Sequence, residues 1–391
     1  MKILKNFLLV FLISFLCGCS SGTTAISEID SLYFEHSQYD ADMRYVRSYG
    51  NLTRNGEVYY ISLNNFLWYY DEASGLYGKL CGKPECTHDT ENCNAFIRMK
   101  FNGDGVQIYE NKLYYGDGQG GLYCAGLDGN GEELVTALWT GNGSNFKWMI
   151  HRGYLYQTGN YYVVENGQDK LNLKIARKSL KKDAVDEVLI EIPDMRALDN
   201  WLIQDNKLFL DVSYGAWGKR EFYMYDLEKG ELTKLIDEKF NGYIADYLVD
   251  EEGITFLGRT WDQHYIFRYD FAEKTEEEWF RVKTELDTNS RLSSDGKYVI
   301  IYDTENIKKD GKDVLCGKVY EVHNDKTPVG AYEIEIEEKT GDVEGLGSDE
   351  KGFYLRRNYL GGDGMNRDIW RISYDGETQC LIKTESFYKL N

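Results

Sequence analysis

Four residues with metal-binding side chains lie close together in the sequence: Cys81, Cys86, His88 and Cys93, within the stretch LCGKPECTHDTENCNAF (80–96). Three thiols and one imidazole are donor types that zinc takes in structural sites. The spacing C-x4-C-x-H-x4-C differs from the C-x2-C clamps of zinc knuckles and ribbons. The residue types therefore predict a structural metal site, with zinc as the candidate ion.

A disulfide is the alternative for the same residues, because disulfides persist outside the cell membrane. Three cysteines in one loop cannot all pair locally, so one would pair with Cys124, bind a metal or stay free. An unlinked loop is the third alternative. Cys316 and Cys380 lie on what we interpret as corresponding strands of two late repeats, and we expect both to be buried thiols without a disulfide partner.

The first 18 residues have the pattern of an export signal. Lys2 and Lys5 precede an apolar run over residues 7–16, and small residues follow. The run is too short to span a bilayer, which takes about 20 helical residues. The segment LCGC (16–19) resembles the lipobox of bacterial lipoproteins, which implies that Cys19 becomes an acylated N-terminus. An ordinary secretory signal is the alternative.

The sequence thus divides into a signal peptide (1–18), a lipidated cysteine with a flexible tether (19–30), and one folded domain (31–391). The tether is rich in small and polar residues, as a flexible linker should be. We expect a protein that a lipid anchor attaches to the extracytoplasmic face of the bacterial cell membrane.

The chain is acidic, with a formal net charge of −20 that becomes −22 when residues 1–18 are removed. An acidic protein of this kind repels the nucleic acid backbone, so we exclude nucleic acid as a partner. The chain is also rich in aromatic residues, with 32 Tyr, 17 Phe and 8 Trp, and it has only three prolines. Aromatic residues fit half-buried pleated sheets, so the composition favours an all-β fold.

A unit of aromatic strands and Gly or Asn turns recurs seven times, about every 53 residues. Each unit has a tight turn, an aromatic strand, a second strand that ends near Asp or Gly, and a strand with Leu. A further apolar segment between units, such as FKWMI (146–150) or YIADYLV (243–249), makes about four strands per unit. The first aromatic strands of the units are NGEVYY (55–60), ENKLYY (110–115), RGYLYQ (152–157), DNKLFL (205–210), EEGITFL (251–257), SDGKYVI (294–300) and DEKGFYL (349–355).

A lone four-stranded sheet cannot cover both of its faces, whereas sheets stacked around an axis bury them. The repeats therefore predict a single seven-bladed β-propeller of four-stranded antiparallel blades. A pair of β-sandwiches is the alternative fold. Residues 31–37 are a candidate closing strand against the last blade, and residues 43–50 are a candidate innermost strand of the first blade.

The repeated pattern LYY…LYxxDxxG…L resembles the degenerate blades of uncharacterised Gram-positive surface lipoproteins, which are loosely similar to TolB-like propellers. The resemblance extends over nearly the whole chain after the signal peptide. It implies a propeller of unknown activity on the cell surface.

Two functions fit these features. The first is a binding module for a glycan, a peptide or an envelope partner, without catalysis. Aromatic side chains with adjacent cations suit such ligands. The second is a propeller enzyme, a glycoside hydrolase or lyase that acts on extracellular polysaccharide and needs clustered ionisable residues at one channel mouth. We expect a monomer, with a binding surface formed by long loops that carry Tyr161, Tyr162, Tyr214, Trp217, Arg356, Arg357 and Tyr359.

Overall fold

A computed structural model describes residues 29–46, 52–97, 105–117, 120–139, 147–165, 167–193, 197–213, 220–238, 243–284, 288–304, 307–324, 327–336, 340–361 and 364–384. The predicted signal peptide and Cys19 lie outside these residues, as do Tyr214 and Trp217. Among the helices that fall within these ranges, none is long and apolar enough to span a membrane.

The described strands form seven antiparallel sheets, which are the blades of a β-propeller, and this confirms the fold that the repeats predict. Blade 1 has β1 (Leu52–Asn55), β2 (Val58–Leu63), β3 (Phe66–Asp71) and β4 (Leu76–Lys79). Blade 2 has β5 (Val106–Tyr109), β6 (Lys112–Gly116), β7 (Gly121–Gly126) and β8 (Glu133–Ala137). Blade 3 has β9 (Lys147–His151), β10 (Tyr154–Glu165), β11 (Gln168–Ser179) and β12 (Glu187–Ile192).

The other four blades follow in chain order. Blade 4 has β13 (Ala197–Gln204), β14 (Lys207–Ser213), β15 (Arg220–Asp226) and β16 (Glu231–Glu238). Blade 5 has β17 (Tyr243–Val249), β18 (Gly253–Arg259), β19 (Gln263–Asp270) and β20 (Glu276–Lys283). Blade 6 has β21 (Thr288–Leu292), β22 (Tyr298–Asp303), β24 (Lys312–Glu321) and β25 (Pro328–Ile336), and the short β23 (Ile307–Lys309) pairs with β24. Blade 7 has β26 (Thr340–Asp349), β27 (Gly352–Gly361), β28 (Gly364–Ile372) and β29 (Thr378–Lys383).

The hydrophobic core lies between neighbouring blades. Phe222 of blade 4 packs edge to face on Phe256 of blade 5, with 4.5 Å between ring centroids. Tyr59 of blade 1 and Tyr354 of blade 7 also pack on each other, with their rings inclined by 47° and 5.4 Å between centroids. Because each blade buries its apolar faces against its neighbours, the ring as a whole is the folding unit.

A register shift recurs between the third and fourth strands of every blade except the first. In blade 4 the shift lies between Phe222 and Tyr223, and in blade 5 it lies between Ile266 and Phe267. An extra residue at such a bulge increases the local twist of the sheet. The outer strands of these six blades are therefore expected to twist more than that of blade 1.

The ring has two ends, which we name by their connections. The turn face is the end where the first strand of each blade turns into the second, as at 110–111 and 152–153. The mouth face is the opposite end, where the second strand ends and the third begins, as at 260–262, and where each blade joins the next.

Residues 29–46, which we call the N-terminal segment, cross the turn face. The backbone N–H of Leu32 donates to the carbonyl of Glu251 in blade 5, and the ring of Phe34 packs on Phe209 in blade 4. Further along, the N–H of Ala41 donates to Nδ1 of His151 in blade 3 over 3.0 Å. The segment ends in a short helix, α1 (Met43–Val46), which packs against β26 and β1.

Ring closure differs from the sequence-based expectation. Residues 31–37 form no strand, and the first strand of blade 1 begins at Leu52, after residues 43–46 have formed α1. The described strands of blade 1 and of blade 7 are each contiguous in sequence, so within the described residues no strand is exchanged between the two blades. The seam between the two blades is instead held by side chains, and α1 packs along it.

Candidate functional site

The four predicted ligand residues converge. The Sγ atoms of Cys81, Cys86 and Cys93 and a ring nitrogen of His88 all lie within 4.8 Å of one another. They belong to residues 80–97, the described part of the connection from blade 1 to blade 2. The cluster could hold a metal ion, as the residue types predict.

Backbone hydrogen bonds hold both ends of this connection against blade 1. The N–H of Leu80 donates to the carbonyl of Leu67, and the N–H of Leu67 donates to the carbonyl of Ala95. On the other side, Gly129 in a turn of blade 2 has a φ of +77° and lies so close to the Leu80 carbonyl that a Cβ atom there would be 2.5 Å from the oxygen. The connection is therefore fixed between two blades.

Local turns direct the ligand atoms toward each other. His88 has a left-handed backbone with φ of +58°, which is uncommon for a residue other than Gly, Asn or Asp. Its backbone N–H points to Sγ of Cys86 at 3.4 Å, and its Nδ1 atom lies 3.5 Å from Sγ of Cys93. The strained backbone at His88 thus places both a ring nitrogen and an N–H group beside sulfur atoms.

The thiols differ in their ease of ionisation. Burial raises the pKa of the Cys93 thiol to about 12. Burial also opposes ionisation of Cys81, but hydrogen bonds from the backbone N–H groups of Lys83 and Asn94 outweigh it and lower the pKa of that thiol. Metals bind the thiolate form, so an ion in this cluster would displace protons as it binds.

No disulfide is present among the described cysteines, and all six are free thiols. Cys124 is buried on β7 beside Lys112 and Glu133, so it is not the partner of a thiol in the cluster. Cys316 and Cys380 have no disulfide partner, as expected, but the expectation that both are buried was wrong. Cys316 lies on the third strand of blade 6 and is half-buried, whereas Cys380 lies on the outermost strand of blade 7, where one side has no covering sheet, and it is exposed.

Two of the predicted ligand-binding residues lie on an extended hairpin. Strands β10 and β11 pair over 12 residues each, but β9 pairs with β10 only as far as Thr158. Tyr161 and Tyr162 lie on the part of β10 beyond this point, at the mouth face, and Tyr162 is 59% exposed. Their role in ligand binding stays a prediction.

The other described members of the predicted set lie on β27 of blade 7. Arg356 donates a hydrogen bond to Glu344, and Arg357 donates to Oδ2 of Asp368 over 2.6 Å. The hydroxyl group of Tyr359 donates to the same carboxylate over 3.1 Å, and Tyr359 is buried. Blades 3 and 7 are not neighbours, so the described residues of the set do not form one continuous surface.

The structure also places a cationic belt at the mouth face, which the sequence reasoning did not identify. We define this belt as Lys147, Arg220, Arg259 and Arg291, from four successive blades. Lys147 donates to the carbonyl of Asp199 in blade 4 over 2.6 Å. Arg259 donates to the carbonyl of Thr288 and Arg291 to that of Ala245, which join blades 5 and 6.

Within the belt, Arg220 is tied to two carboxylates. Its guanidinium donates to Oδ1 and Oδ2 of Asp211 over 3.1 and 3.0 Å, and it also contacts Asp199. The same guanidinium lies 5.2 Å from the centroid of the Tyr243 ring, and that of Arg259 lies 5.7 Å from the same centroid. Two cations therefore lie close to the Tyr243 ring, and 44% of Tyr243 stays exposed.

One member of the belt, Lys147, and the neighbouring Asp211 have perturbed pKa values. Burial raises the pKa of Asp211 to about 7 in spite of Arg220. Burial lowers the pKa of Lys147 to about 8, although Asp199 and Asp211 act in the opposite direction. The signal for Asp211 was a charged residue within the apolar strand KLFLDVS (207–213), which a buried strand accepts only with a partner.

No family model matches the chain, and no curated protein sequence matches it. Among solved structures, the chain is similar to oligogalacturonate lyase from Vibrio parahaemolyticus, with 10% identity, 90% of this chain and 100% of that chain covered, and a TM-score of 0.53. It is also similar to a prolyl endopeptidase, with 14% identity, 87% and 50% of the two chains covered, and a TM-score of 0.51. This chain thus spans about half the length of that endopeptidase.

A third similarity is to TolB from Acinetobacter baumannii, with 13% identity, 85% of this chain and 78% of that chain covered, and a TM-score of 0.34. At such low identities, the two higher-scoring similarities show the fold and no more. They agree with the β-propeller that the repeats predict.

Proposed function

We propose that the protein is a lipoprotein anchored through Cys19 at the extracytoplasmic face of the membrane, and that its propeller binds a glycan, a peptide or an envelope partner. The export pattern in residues 1–18 and the lipobox resemblance support the anchor. The position of the N-terminal segment supports an orientation, because the chain enters the propeller along the turn face. The mouth face would then point away from the membrane.

The observation that carries the binding role is the exposure of aromatic side chains at the mouth face on blades 3 and 5. Tyr162, Tyr243 and Trp261 are 59%, 44% and 73% exposed. The guanidinium group of Arg259, which is half-buried and donates to a backbone carbonyl, lies 5.7 Å from the centroid of the Tyr243 ring. Aromatic faces pack on sugar rings, and a guanidinium group binds a carboxylate, so a glycan with acidic groups fits this surface best of the three partner classes.

A binding assay with an acidic and a neutral polysaccharide tests this role. Trp261→Ala and Tyr243→Ala should each weaken retention on polygalacturonate by about three- to tenfold. Tyr33→Ala is the matched control, because Tyr33 is 73% exposed on the N-terminal segment at the turn face. The binding role would be contradicted if the unchanged protein and all three variants were retained equally on polygalacturonate, or if the unchanged protein were retained on neither polymer. Release of Cys19→Ser from the membrane fraction would test the anchor separately.

We further propose that the ion in the Cys81, Cys86, His88 and Cys93 cluster is zinc. Three sulfur donors and one imidazole nitrogen fill the four positions of tetrahedral zinc, so no position remains for water or substrate. Such an ion stabilises the fold and takes no part in catalysis. It would hold the connection between blades 1 and 2 in place.

One observation favours the enzyme alternative as a second candidate. Lys147 and Asp211 have pKa values shifted toward neutrality near the mouth face, and such shifts are common at catalytic sites. An amine with a pKa of about 8 can act as a base on a sugar polymer. The test is to compare the turnover of acidic oligosaccharides by the unchanged protein and by Lys147→Met. An enzyme that uses Lys147 as its base should turn them over, and the variant should not. Binding without turnover by the unchanged protein would leave the binding module as the function.

A further inference from the structure

The turn face carries an open cavity of about 330 Å³ between the N-terminal segment and the first hairpin turns of blades 2 and 3. It is separate from both the metal cluster and the mouth face. Its lining residues are Glu35, Ser37, Tyr39, Tyr109, Glu110 and Arg152.

The cavity has an excess of negative charge. Its one cation, Arg152, already donates to Asp40 over 2.5 Å and to Asp205 over 2.7 Å. Across the described part of the chain, neither Glu35 nor Glu110 forms a salt bridge, and both are exposed. Two carboxylates therefore face this space with no cation bound to them.

Two aromatic rings complete the wall. The ring centroids of Tyr39 and Tyr109 lie 6.2 Å apart with their planes inclined by 48°. Tyr39 is 42% exposed, whereas Tyr109 is buried behind it. Burial raises the pKa of Tyr109, and Glu110 and Tyr39 add to the shift, so its ring stays neutral. Tyrosine faces beside carboxylates attract an organic cation, which gains both charge and ring contacts.

The backbone holds two of these side chains in unfavourable conformations. Glu110 has φ of +46° and Arg152 has φ of +48°, each at the first position of a hairpin turn. Asn, Asp or Gly is the usual residue there, because a left-handed backbone is unfavourable for a residue with a long side chain. The first hairpin turns of blades 2 and 3 thus contain Glu110 and Arg152 at positions where a left-handed backbone favours Asn, Asp or Gly.

We propose that this cavity binds an organic ammonium group, the side chain of a lysine in a peptide. The carboxylates of Glu35 and Glu110 neutralise the ammonium group, and the ring of Tyr39 covers its carbon chain. The proposal does not depend on the lipid anchor, on the metal or on glycan binding at the mouth face, because none of the lining residues belongs to those sites.

Calorimetric titration of the full chain tests the proposal. The probe is Nα-acetyl-lysine amide, and its neutral counterpart is Nα-acetyl-norleucine amide. The lysine compound should bind and the norleucine compound should not, and added NaCl should weaken the binding because the pair is exposed. Glu110→Gln should weaken binding about fivefold or more, and Tyr39→Ala about two- to fivefold.

Glu251→Gln is the matched control. It removes one exposed carboxylate from the equivalent turn of blade 5, away from the cavity, and should leave the affinity unchanged. Circular dichroism of each variant checks that the propeller is folded. Equal affinity for the two amides, no binding of the lysine compound at millimolar concentration, or an equal effect of Glu251→Gln would each overturn the proposal.

Discussion

Tyr45 of α1 donates a hydrogen bond from its hydroxyl group to Oδ2 of Asp349 over 2.7 Å, which joins two residues 304 positions apart. The same carboxylate accepts from the hydroxyl group of Tyr354 over 2.8 Å and from Arg54 of blade 1 over 3.0 Å. Asp349 is fully buried. One carboxylate therefore connects the N-terminal segment, the first blade and the last blade.

Loss of this carboxylate should destabilise the ring strongly. Asp349→Ala leaves the guanidinium of Arg54 buried without one of its charge partners, so we expect the free energy of unfolding to fall by about 3–5 kcal/mol. Tyr45→Phe removes one hydrogen bond and should cost about 1 kcal/mol. Urea unfolding measures both. Tyr33→Phe, at an exposed residue of the same segment, should leave the free energy of unfolding unchanged. If Tyr33→Phe lowered it as much as Tyr45→Phe does, the hydrogen bond from Tyr45 to Asp349 would not be the cause.

Removal of a metal ligand should have two linked effects. Cys93→Ser should abolish the bound zinc measured by mass spectrometry of the metal content, and it should lower the free energy of unfolding by more than about 3 kcal/mol. Cys316→Ser alters a half-buried thiol outside the cluster and should keep the zinc. If the unchanged protein, purified without reductant, contains no metal and has lost two hydrogens per cysteine pair, the disulfide interpretation is right.

Acid should destabilise the protein through His264. Its ring nitrogens contact the hydroxyl groups of Ser290 and Thr288 at 2.8 and 2.9 Å, and burial, with Arg259 nearby, lowers its pKa to about 4. An unfolded histidine titrates near pH 6.5, so between about pH 6.5 and 4 the unfolded chain binds a proton that the folded chain does not. Stability therefore falls as the pH is lowered through this window, by up to about 1.4 kcal/mol per pH unit from this residue.

Unfolding by urea at a series of pH values checks the contribution of His264. In His264→Gln the slope of stability against pH should be shallower between pH 6.5 and 4, whatever the stability at neutral pH. His36→Gln alters an exposed histidine on the N-terminal segment and is the control. Identical slopes for the unchanged protein and His264→Gln would refute the assignment.

The seam between blades 1 and 7 should weaken when Glu72 loses its charge. Burial opposes ionisation of Glu72, but hydrogen bonds from Arg371 and Lys351 of blade 7 outweigh it and lower its pKa to about 2. The charged Glu72 therefore stabilises the folded protein at pH values above its unfolded pKa near 4.5. This stabilisation is lost as the pH falls from about 4.5 to about 2. At neutral pH, Glu72→Gln should cost about 1–2 kcal/mol.

Glu335→Gln is the comparison for the seam, because Glu335 pairs with Lys312 over 2.7 Å within blade 6 and both side chains are largely exposed. Such an exposed pair contributes about 0–1 kcal/mol. In thermal unfolding at neutral pH, Glu72→Gln should therefore lower the melting temperature more than Glu335→Gln does. A larger effect from Glu335→Gln would show that the seam does not depend on Glu72.

The sequence predicted those features that depend on local patterns. Aromatic strands between Gly and Asn turns recur seven times, and this periodicity was enough for the blade number and strand order. The convergence of Cys81, Cys86, His88 and Cys93 could also be predicted, because short spacing keeps ligands close whatever the surrounding fold. In both cases the interacting residues are neighbours in sequence or repeat at a fixed interval.

The features that sequence reasoning missed depend on contacts between distant residues. Two stretches of the N-terminal segment resemble strands in sequence, but most contacts of the segment are with turns of several blades, and it forms no strand. Asp349 resembled an ordinary turn residue in DEKGFYL, and only the fold brings Tyr45 and Arg54 to it. The cationic belt was missed for the same reason, because its members are far apart in sequence, and Lys147, Arg259 and Arg291 each contact a neighbouring blade.

The path of the N-terminal segment determines how the protein responds to a mechanical load. A force applied to the chain on the N-terminal side of Ile29 first loads the contacts with blade 5. There the Lys274 ammonium group donates to the carbonyl of Ile29, and the N–H of Leu32 donates to the carbonyl of Glu251. These contacts must break before force reaches Tyr45 and the junction of the first and last blades. The N-terminal segment would detach from one blade after another. The junction between blades 1 and 7 would stay intact until the whole segment had detached.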